Sequence, residues 1–508
     1  DASLDISNTL SILFMSVEGS VTLSPSSSVS VYYADFWTDY NYCFKIQSDA
    51  TGTGSLLIGE GGMNNYSMYG YDLQMQRYMT GNTWHNVSCP VWDQNIYSFI
   101  TNGSNGIPTK GSAPVTYGSE YYDEAAGGWT YYTSDNLPSS SSDVFTPGSG
   151  FLLRRSSTGV VTFTGPMNFF SVDYPIDSTH NAWNSAGNPF TTAIALNSST
   201  GMTNFLTENS ANLSPSFAAV YLWNGTSYTI INNTDGATYM QPGQGFLVKA
   251  PLAGSILNFN YDMQVHQNST AFYKKSATES WYKTTLLMST ESDTARTRLL
   301  FRDDMSYGLD VTYDAGAFGG NAKFKLYSQL LADNGINFAV QCLPSGESEA
   351  MIIPIGLDVT EGGEVNFSAD IENLPSGYSM ILEDRQLEEL VDLSAPGTVY
   401  TATIDTLTAG YGRFYVHTMA AKPESNLQEE QLNKLNIYTY NREIFIKGHV
   451  ENVAFAYLYD ITGKLVTTFR LEPGYENRFT VPEKLESGIY ILKLGGTGVL
   501  KTSKLFIN

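Results

Sequence analysis

Cysteine and histidine are nearly missing from this sequence: three and five in 508 residues. Cys43, Cys89 and Cys342 are an odd number with no metal-type spacing, which excludes a disulfide framework and leaves them as buried small hydrophobes. His85, His180, His266, His417 and His449 are scattered, without the i, i+4 spacing of a helical metal pair, so each reads as a surface or satisfied strand residue. Positive charge is also scarce. Against 50 Asp+Glu stand 27 Lys+Arg, a formal net charge of -23 that repels phosphate backbones and anionic lipid heads and argues against nucleic-acid and membrane-surface partners. No run reaches the roughly 18 apolar residues of a membrane span. The first residues, from Asp1, have neither a basic n-region nor an apolar h-region; a chain that is cytosolic, or one whose signal peptide has been removed, is expected.

What is plentiful is glycine, tyrosine and small polar residues, with only 15% charged residues and few helical periods, a composition of strands and turns. One phrase is written twice. Residues 146 to 153, TPGSGFLL, return as QPGQGFLV at 241 to 248. Pro147-Gly148 and Pro242-Gly243 are turn dipeptides, and Phe151 and Phe246 then start strands. Neither copy has the following helix and Lys or Ser/Thr of a phosphate-cradling loop. The echo extends upstream and downstream: Trp84 to Pro90 corresponds to Trp183 to Pro189, Trp129-Thr-Tyr-Tyr to the stretch ending Tyr228-Thr-Ile-Ile, and Val161-Thr-Phe163 to Leu257-Asn-Phe259. Order is kept while spacing drifts, as in a tandem duplication of one β unit.

The expected fold class is all-β: a multidomain chain of β-sandwich or β-solenoid-like units with an internal duplication and a small C-terminal seven-stranded Ig-like β-sandwich. Residues 1 to 80 read as a β region, either a solenoid or the start of a sandwich; 81 to 170 and 171 to 268 as the two repeat units; and 269 to 420 as a β-sandwich. Residues 421 to 436 are polar and proline-led, a linker, and 437 to 508 hold seven short strand candidates with an Asp460-Ile-Thr-Gly463 hairpin turn.

Those last residues carry a resemblance. Tyr457-Leu-Tyr-Asp-Ile-Thr-Gly-Lys-Leu-Val466, Leu485-Glu-Ser-Gly-Ile-Tyr-Ile-Leu-Lys493 and Lys501 to Asn508 resemble the type A C-terminal sorting domain of proteins exported by the type IX secretion system of Bacteroidetes. The resemblance implies that residues 437 to 508 dock to the translocon and its outer-membrane β-barrel shuttle protein. Tyr459, Asp460, Gly463, Lys464, Gly488, Tyr490, Lys493 and Lys504 would carry the signal. It further implies a secreted, cell-surface location with a signal peptide already removed, and O-glycosylation at Ser178, Thr294 and Thr406 in short Asp-Ser/Thr stretches. The remainder is similar to large non-enzymatic surface proteins of the same bacteria, in which a W-x-x-x-[SG]-x-P unit, an aromatic strand and a PGxGF turn recur. The first copy departs from that pattern, with Ser88-Cys89-Pro90 where the second has Gly187-Asn188-Pro189.

Chemistry is otherwise thin. Ser149 lacks the strand-to-helix elbow of a nucleophile, so no catalytic residue is assigned. Asp303, Asp304, Asp310 and Asp314 form the one candidate calcium cluster, against the plainer reading of a turn-rich edge whose carboxylates bind backbone amides. No other cofactor is expected. The expected function is a structural or adhesive surface protein, with self-association as one outlet. The alternative is a carbohydrate-binding module that stacks glycans on exposed Tyr and Trp, dense in stretches such as Asn65 to Tyr71, and a glycoside-active enzyme ranks third.

Overall fold

The computed structural model describes residues 3–18, 20–37, 44–59, 73–252, 254–267, 273–275, 282–318, 323–331, 335–345, 351–375, 378–420, 435–440, 442–450, 454–472, 474–482, 484–496 and 499–507. The Asn65 to Tyr71 stretch, Cys43 and nearly all of the 421 to 436 segment lie outside these. The chain is all-β, and its few helices are short. It divides into two compact units. The first holds residues 1–281 with 298–321 and 332–344; the second holds 282–297, 322–331 and 345–508.

The first unit begins as a parallel β-solenoid. Ser3–Ile6, Ser20–Leu23, Phe44–Ile46 and Leu73–Met79 stack in parallel on one face, and Thr9–Glu18, Ser28–Trp37 and Ser55–Ile58 on the other. Alternation decides which side chains turn inward: in Ser20-Val-Thr-Leu the Val21 and Leu23 side chains are buried and meet Val29, Val31, Ile46 and Leu56 in one core. Gly159–Gly165 then runs antiparallel along the whole of Leu73–Met79, ending the parallel stack on that side.

Two sheets of the same plan follow. In the first, Trp84–Ser88 pairs with Gly150–Arg154, which pairs with Thr116–Asp123, which pairs with Gly128–Thr133. In the second, Trp183–Gly187, Gly245–Lys249, Val220–Trp223 and Tyr228–Ile231 follow in the same order. Registers coincide as well: Trp84 faces Arg154 and Ser88 faces Gly150, while Trp183 faces Lys249 and Gly187 faces Gly245. Each copy also builds its core on three phenylalanines, Phe99, Phe151 and Phe163 in one and Phe205, Phe246 and Phe259 in the other. The copies begin upstream of residue 81, because Leu73–Met79 with Gly159–Gly165 has its counterpart in Val172–Ile176 with Ser255–Phe259.

Residues 298–321 and 332–344 belong to this unit rather than to a continuous 269 to 420 sandwich. Arg298 to Phe301 pair in parallel with Val340 to Leu343, and Leu300, Ala315, Val340 and Cys342 pack with Trp183, Phe217 and Tyr221. Burial of that second face of the repeat sheet is what draws them in.

The second unit contains two antiparallel ladders. Tyr282–Ser289 pairs with Gly363–Glu372, and that with Tyr400–Ile404. Phe324–Ser328 pairs with Met351–Val359, then Thr408–Ala420, Tyr378–Asp384 and Glu389–Asp392. Strict alternation in Tyr282–Ser289 turns every second side chain inward, and Phe367 of one ladder meets Phe414 of the other at 4.7 Å between ring centroids. The C-terminal seven strands form a three-stranded sheet, Asn436–Tyr440, Glu443–Val450 and Gly474–Thr480, and a four-stranded sheet in the order Leu465–Leu471, Ala454–Tyr459, Gly488–Gly496, Val499–Ile507. Ile444, Ile446, Leu458, Leu492, Leu494 and Ile507 fill the space between the sheets as a core of their own.

Candidate functional site

The repeated turns lock the two copies together. Gly148 and Gly243 take φ of +84° and +70°, the left-handed conformation their turn requires. Each turn then reaches the first strand of the other copy. The Ser88 amide donates to Gly243 O at 3.1 Å, and the Gly187 amide donates to Gly148 O at 2.8 Å. Val87 bridges Gln244, and Ala186 bridges Ser149. The next glycine of each phrase lies against backbone: a Cβ on Gly150 would overlap Ala186 O and Ser185 Oγ, and one on Gly245 would overlap Asn86 Oδ1 and Val87 O. The relation is a pseudo-two-fold within one chain.

A cavity of about 200 Å3 opens beside this junction, lined by Tyr121, Tyr122 and Tyr132 of the first copy and Tyr174, Asn184 and Ser185 of the second. Its polar groups are engaged, across the copies at Glu124 and Tyr122 and within the second copy at Asn184. Glu124 accepts the amides of His180 at 2.6 Å and Ala182 at 2.8 Å and meets His180 Nδ1 at 3.0 Å. Asn181 Nδ2 donates to the Tyr122 hydroxyl at 3.2 Å, and Asn184 exchanges two hydrogen bonds with the Asp177 backbone at 2.9 and 2.7 Å. The tryptophan pairs of the copies are tilted or edge-on: 63° for Trp84 and Tyr131, 89° for Tyr122 and Trp129, 57° for Trp223 and Tyr228. Trp129 Nε1 donates to the Tyr228 hydroxyl at 3.2 Å and Trp223 Nε1 to Trp84 O at 3.0 Å. These rings pack the copies together and do not form a coplanar platform for a sugar.

The four aspartates do not converge. Asp304 is held bidentately by Arg302, with 2.9 Å to Nη2; Asp310 accepts the Ser306 amide at 2.8 Å; Asp303 is exposed. Asp314 is buried and accepts the amides of Asp310 at 2.7 Å and Cys342 at 2.6 Å, and burial pushes its pKa up to about 7. Among the described residues no group of three His, Cys, Asp or Glu is placed to hold a metal ion. The histidines are apart: His85 lies by Thr80, His266 between the Ser30 and Ser55 hydroxyls at 2.8 Å each, and His417 on Glu383 at 2.8 Å; the His449 side chain is outside the described ones. Burial drives the Cys89 thiol up to about 12 and the Cys342 thiol well above its ordinary value, far from the range of a nucleophile. Ser149 Oγ donates to Thr146 O within its own turn. Thr294 and Thr406 are exposed and Ser178 is half-buried.

In the C-terminal domain, Asp460 builds the hairpin turn. Its carboxylate accepts the Thr462 amide at 2.8 Å, the Thr462 hydroxyl at 2.6 Å and the Lys464 amide at 3.0 Å, bonds that hold its pKa below the usual carboxylate value, and Gly463 takes φ +84°. Lys464 is exposed at the turn's end. Tyr490 points into the core and donates to Glu486 O at 2.8 Å, whereas Tyr459, Lys493 and Lys504 lie on the outer face of the four-stranded sheet. Gly488 begins the strand that pairs with the edge strand Val499–Ile507.

One polar cluster had no counterpart in the sequence reading. Glu383 accepts Arg385 Nε at 3.1 Å and lies 2.8 Å from His417 Nε2; burial works against its charge, but His417 and Arg385 more than offset this and hold its pKa down. The signal was Glu383-Asp384-Arg385, three charges ending a strand whose neighbours are Met380 and Leu382, both buried.

Fold and site together define a multidomain all-β protein with an interlocked internal duplication. The chain belongs to the family described as Domain of unknown function (DUF8693), matched over residues 63–417, which takes in both copies and most of the sandwich. No curated protein matches it. A solved structure named "Biofilm associated protein - BSP domain" aligns with 86% of this chain at 11% identity and a TM-score of 0.13, too slight a likeness to bear on fold or function. The chain spans 62% of that structure's length. No helix among the described residues is long and apolar enough to cross a membrane.

Proposed function

We propose that this chain is a non-enzymatic structural or adhesive protein of the cell surface, exported by the type IX secretion system, with residues 437 to 508 as its sorting domain. The observation that carries the reading is the C-terminal domain itself: seven strands on one separate core, the Asp460 to Gly463 turn, the Gly488 lead-in and the edge strand Val499–Ile507. An edge strand offers unpaired backbone groups to a partner. The polar groups between the two copies hold backbone and join the copies, as a scaffold requires.

Deleting 437 to 508 is expected to leave a folded fragment retained in the periplasm, and fusing 422 to 508 to an unrelated protein to send that protein to the surface. Gly488→Ala refines the test. An added Cβ there meets only the Tyr490 ring, at 3.8 Å, so the domain still folds and any export defect reports recognition. Normal surface display of the truncated chain would overturn the proposal.

A further inference from the structure

In the strand Ala454–Tyr459 the residues from Ala456 to Tyr459 are buried on both faces, while the domain's own core lies against only one of them. Ala456 and Leu458 face the core between the domain's two sheets. Tyr457 and Tyr459 alternate with them and point outward, but are only 7% and 5% exposed. Part of their cover is the preceding sandwich. The Arg385 guanidinium stacks on Tyr415 at 3.4 Å from the ring centroid and stands 5.1 Å from that of Tyr459, with Nη2 3.5 Å from the Tyr459 hydroxyl. On the other side Lys493 Nζ lies 5.7 Å from the Tyr459 centroid. Arg385 is not free to wander, because Glu383 grips its Nε and is itself held by His417.

We propose that Arg385 is a latch: wedged between Tyr415 of the sandwich and Tyr459 of the C-terminal domain, it keeps the Tyr457, Tyr459 and Lys493 face covered, and a partner that reads this face must first displace the sandwich. The inference rests on the sorting-domain reading for the identity of that partner. The latch itself does not depend on it. The chemistry suits release, because the domain's apolar core contains no sandwich residue and the groups at Tyr459 are phenol, guanidinium and ammonium, all of which water receives well. A stacked guanidinium shifts such an equilibrium by about ten-fold, enough to hold the domain closed and little enough to be overcome.

Tyrosine nitration of the full chain, read by peptide mass, tests the latch. Tyr440 and Tyr475 are 67% and 72% exposed and serve as internal standards, and Tyr490, 8% exposed in the core, reports whether the domain stays folded. Arg385→Ala is expected to speed nitration of Tyr457 and Tyr459 about ten-fold with Tyr490 still protected, and Arg385→Lys, which keeps the charge without the plane, to fall between. Unchanged protection of Tyr457 and Tyr459 in Arg385→Ala would overturn the latch, and so would loss of Tyr490 protection together with theirs, since the arginine would then be holding the domain's fold. In an exporting host, Arg385→Ala is expected to reach the surface faster; release seen by nitration with an unaltered export rate would overturn the masking role. Surface display that survives deletion of 437 to 508 would instead strike the sorting reading and leave the nitration result standing.

Discussion

Ser88 and Gly187 occupy the same position in the two copies and meet each other: a Cβ on Gly187 would overlap the Cβ and Oγ of Ser88. Residues on a two-fold axis face their own equivalents, and two serines do not fit there. The departure of Ser88-Cys-Pro from Gly187-Asn-Pro is therefore a packing requirement. Trp129 and Tyr228, also equivalent, meet in the same way.

Restoring the symmetry is expected to be costly. Gly187→Ser should destabilise the first unit by about 1–3 kcal/mol through overpacking, and Ser88→Gly by about 1 kcal/mol through loss of the hydrogen bond from Ser88 Oγ to Asn188 O, 2.7 Å long. The exchange of both should recover most of the Gly187→Ser loss, a coupling that independent sites would not show. All seven tryptophans precede residue 282, so urea unfolding followed by tryptophan fluorescence reports this unit.

The glycines that follow the turns offer a matched pair. Gly150→Ala and Gly245→Ala each press a methyl into the backbone of the opposite copy, and each is expected to cost more than about 2 kcal/mol. Gly103→Ala is the control for an added methyl in open space. Equal and small losses at all three positions, in the same fluorescence assay, would contradict the interlock.

The duplication was legible because its signal lay in glycine and proline, whose backbone demands survive while side chains drift. Phe151 and Phe246 are buried at equivalent places for the same reason: they are fixed by the turn before them. The sequence could not reveal that the solenoid and the first copy share a sheet, because the pairing of Leu73–Met79 with Gly159–Gly165 spans some eighty residues and leaves only the ordinary alternation of a strand. Nor could it tell that residues 298–321 leave the sandwich, since Leu300 and Cys342 look alike in either core. The aspartate cluster misled for a related reason. Four carboxylates near one another in sequence suit a cation as well as they suit backbone amides, and only the fold shows Asp310 and Asp314 taking amides.

Asp314 should impose a pH slope on the first unit. Its folded pKa is raised to about 7 from 3.8, so the folded state holds the proton more tightly than the unfolded one and stability falls as pH rises from about 4 to about 7. Asp314→Asn mimics the neutral form and is expected to flatten that slope. Unfolding at pH 5 and pH 8 should show the variant gaining on the natural chain at the higher pH; a difference that does not vary with pH would contradict the assignment.

Asp384 is the opposite case, a carboxylate kept charged. Its side chain is fully buried, which opposes ionisation, yet Arg413 binds it through two nitrogens at 2.9 and 2.7 Å, and the Tyr400 hydroxyl and Gln386 amide donate at 2.9 and 3.0 Å, so its pKa lies below 3.8. Arg413 reaches it from an irregularity in the Thr408–Ala420 strand, where the register shifts between Ile355 and Gly356 and the strand bulges. Arg413→Met would leave a buried charge without its cation and is expected to cost about 3–5 kcal/mol at pH 7, against about 1 kcal/mol for Tyr400→Phe. The stability that Asp384 contributes is complete above about pH 4 and is lost as pH falls through its depressed folded value. The Arg413→Met penalty should therefore shrink when the pH is lowered to about 3, because the orphaned carboxyl can take a proton. Hydrogen exchange of the Tyr378–Asp384 strand measures this within the second unit. A penalty as large at pH 3 as at pH 7 would mean that packing of the Arg413 stem, rather than its charge, holds this corner of the sandwich.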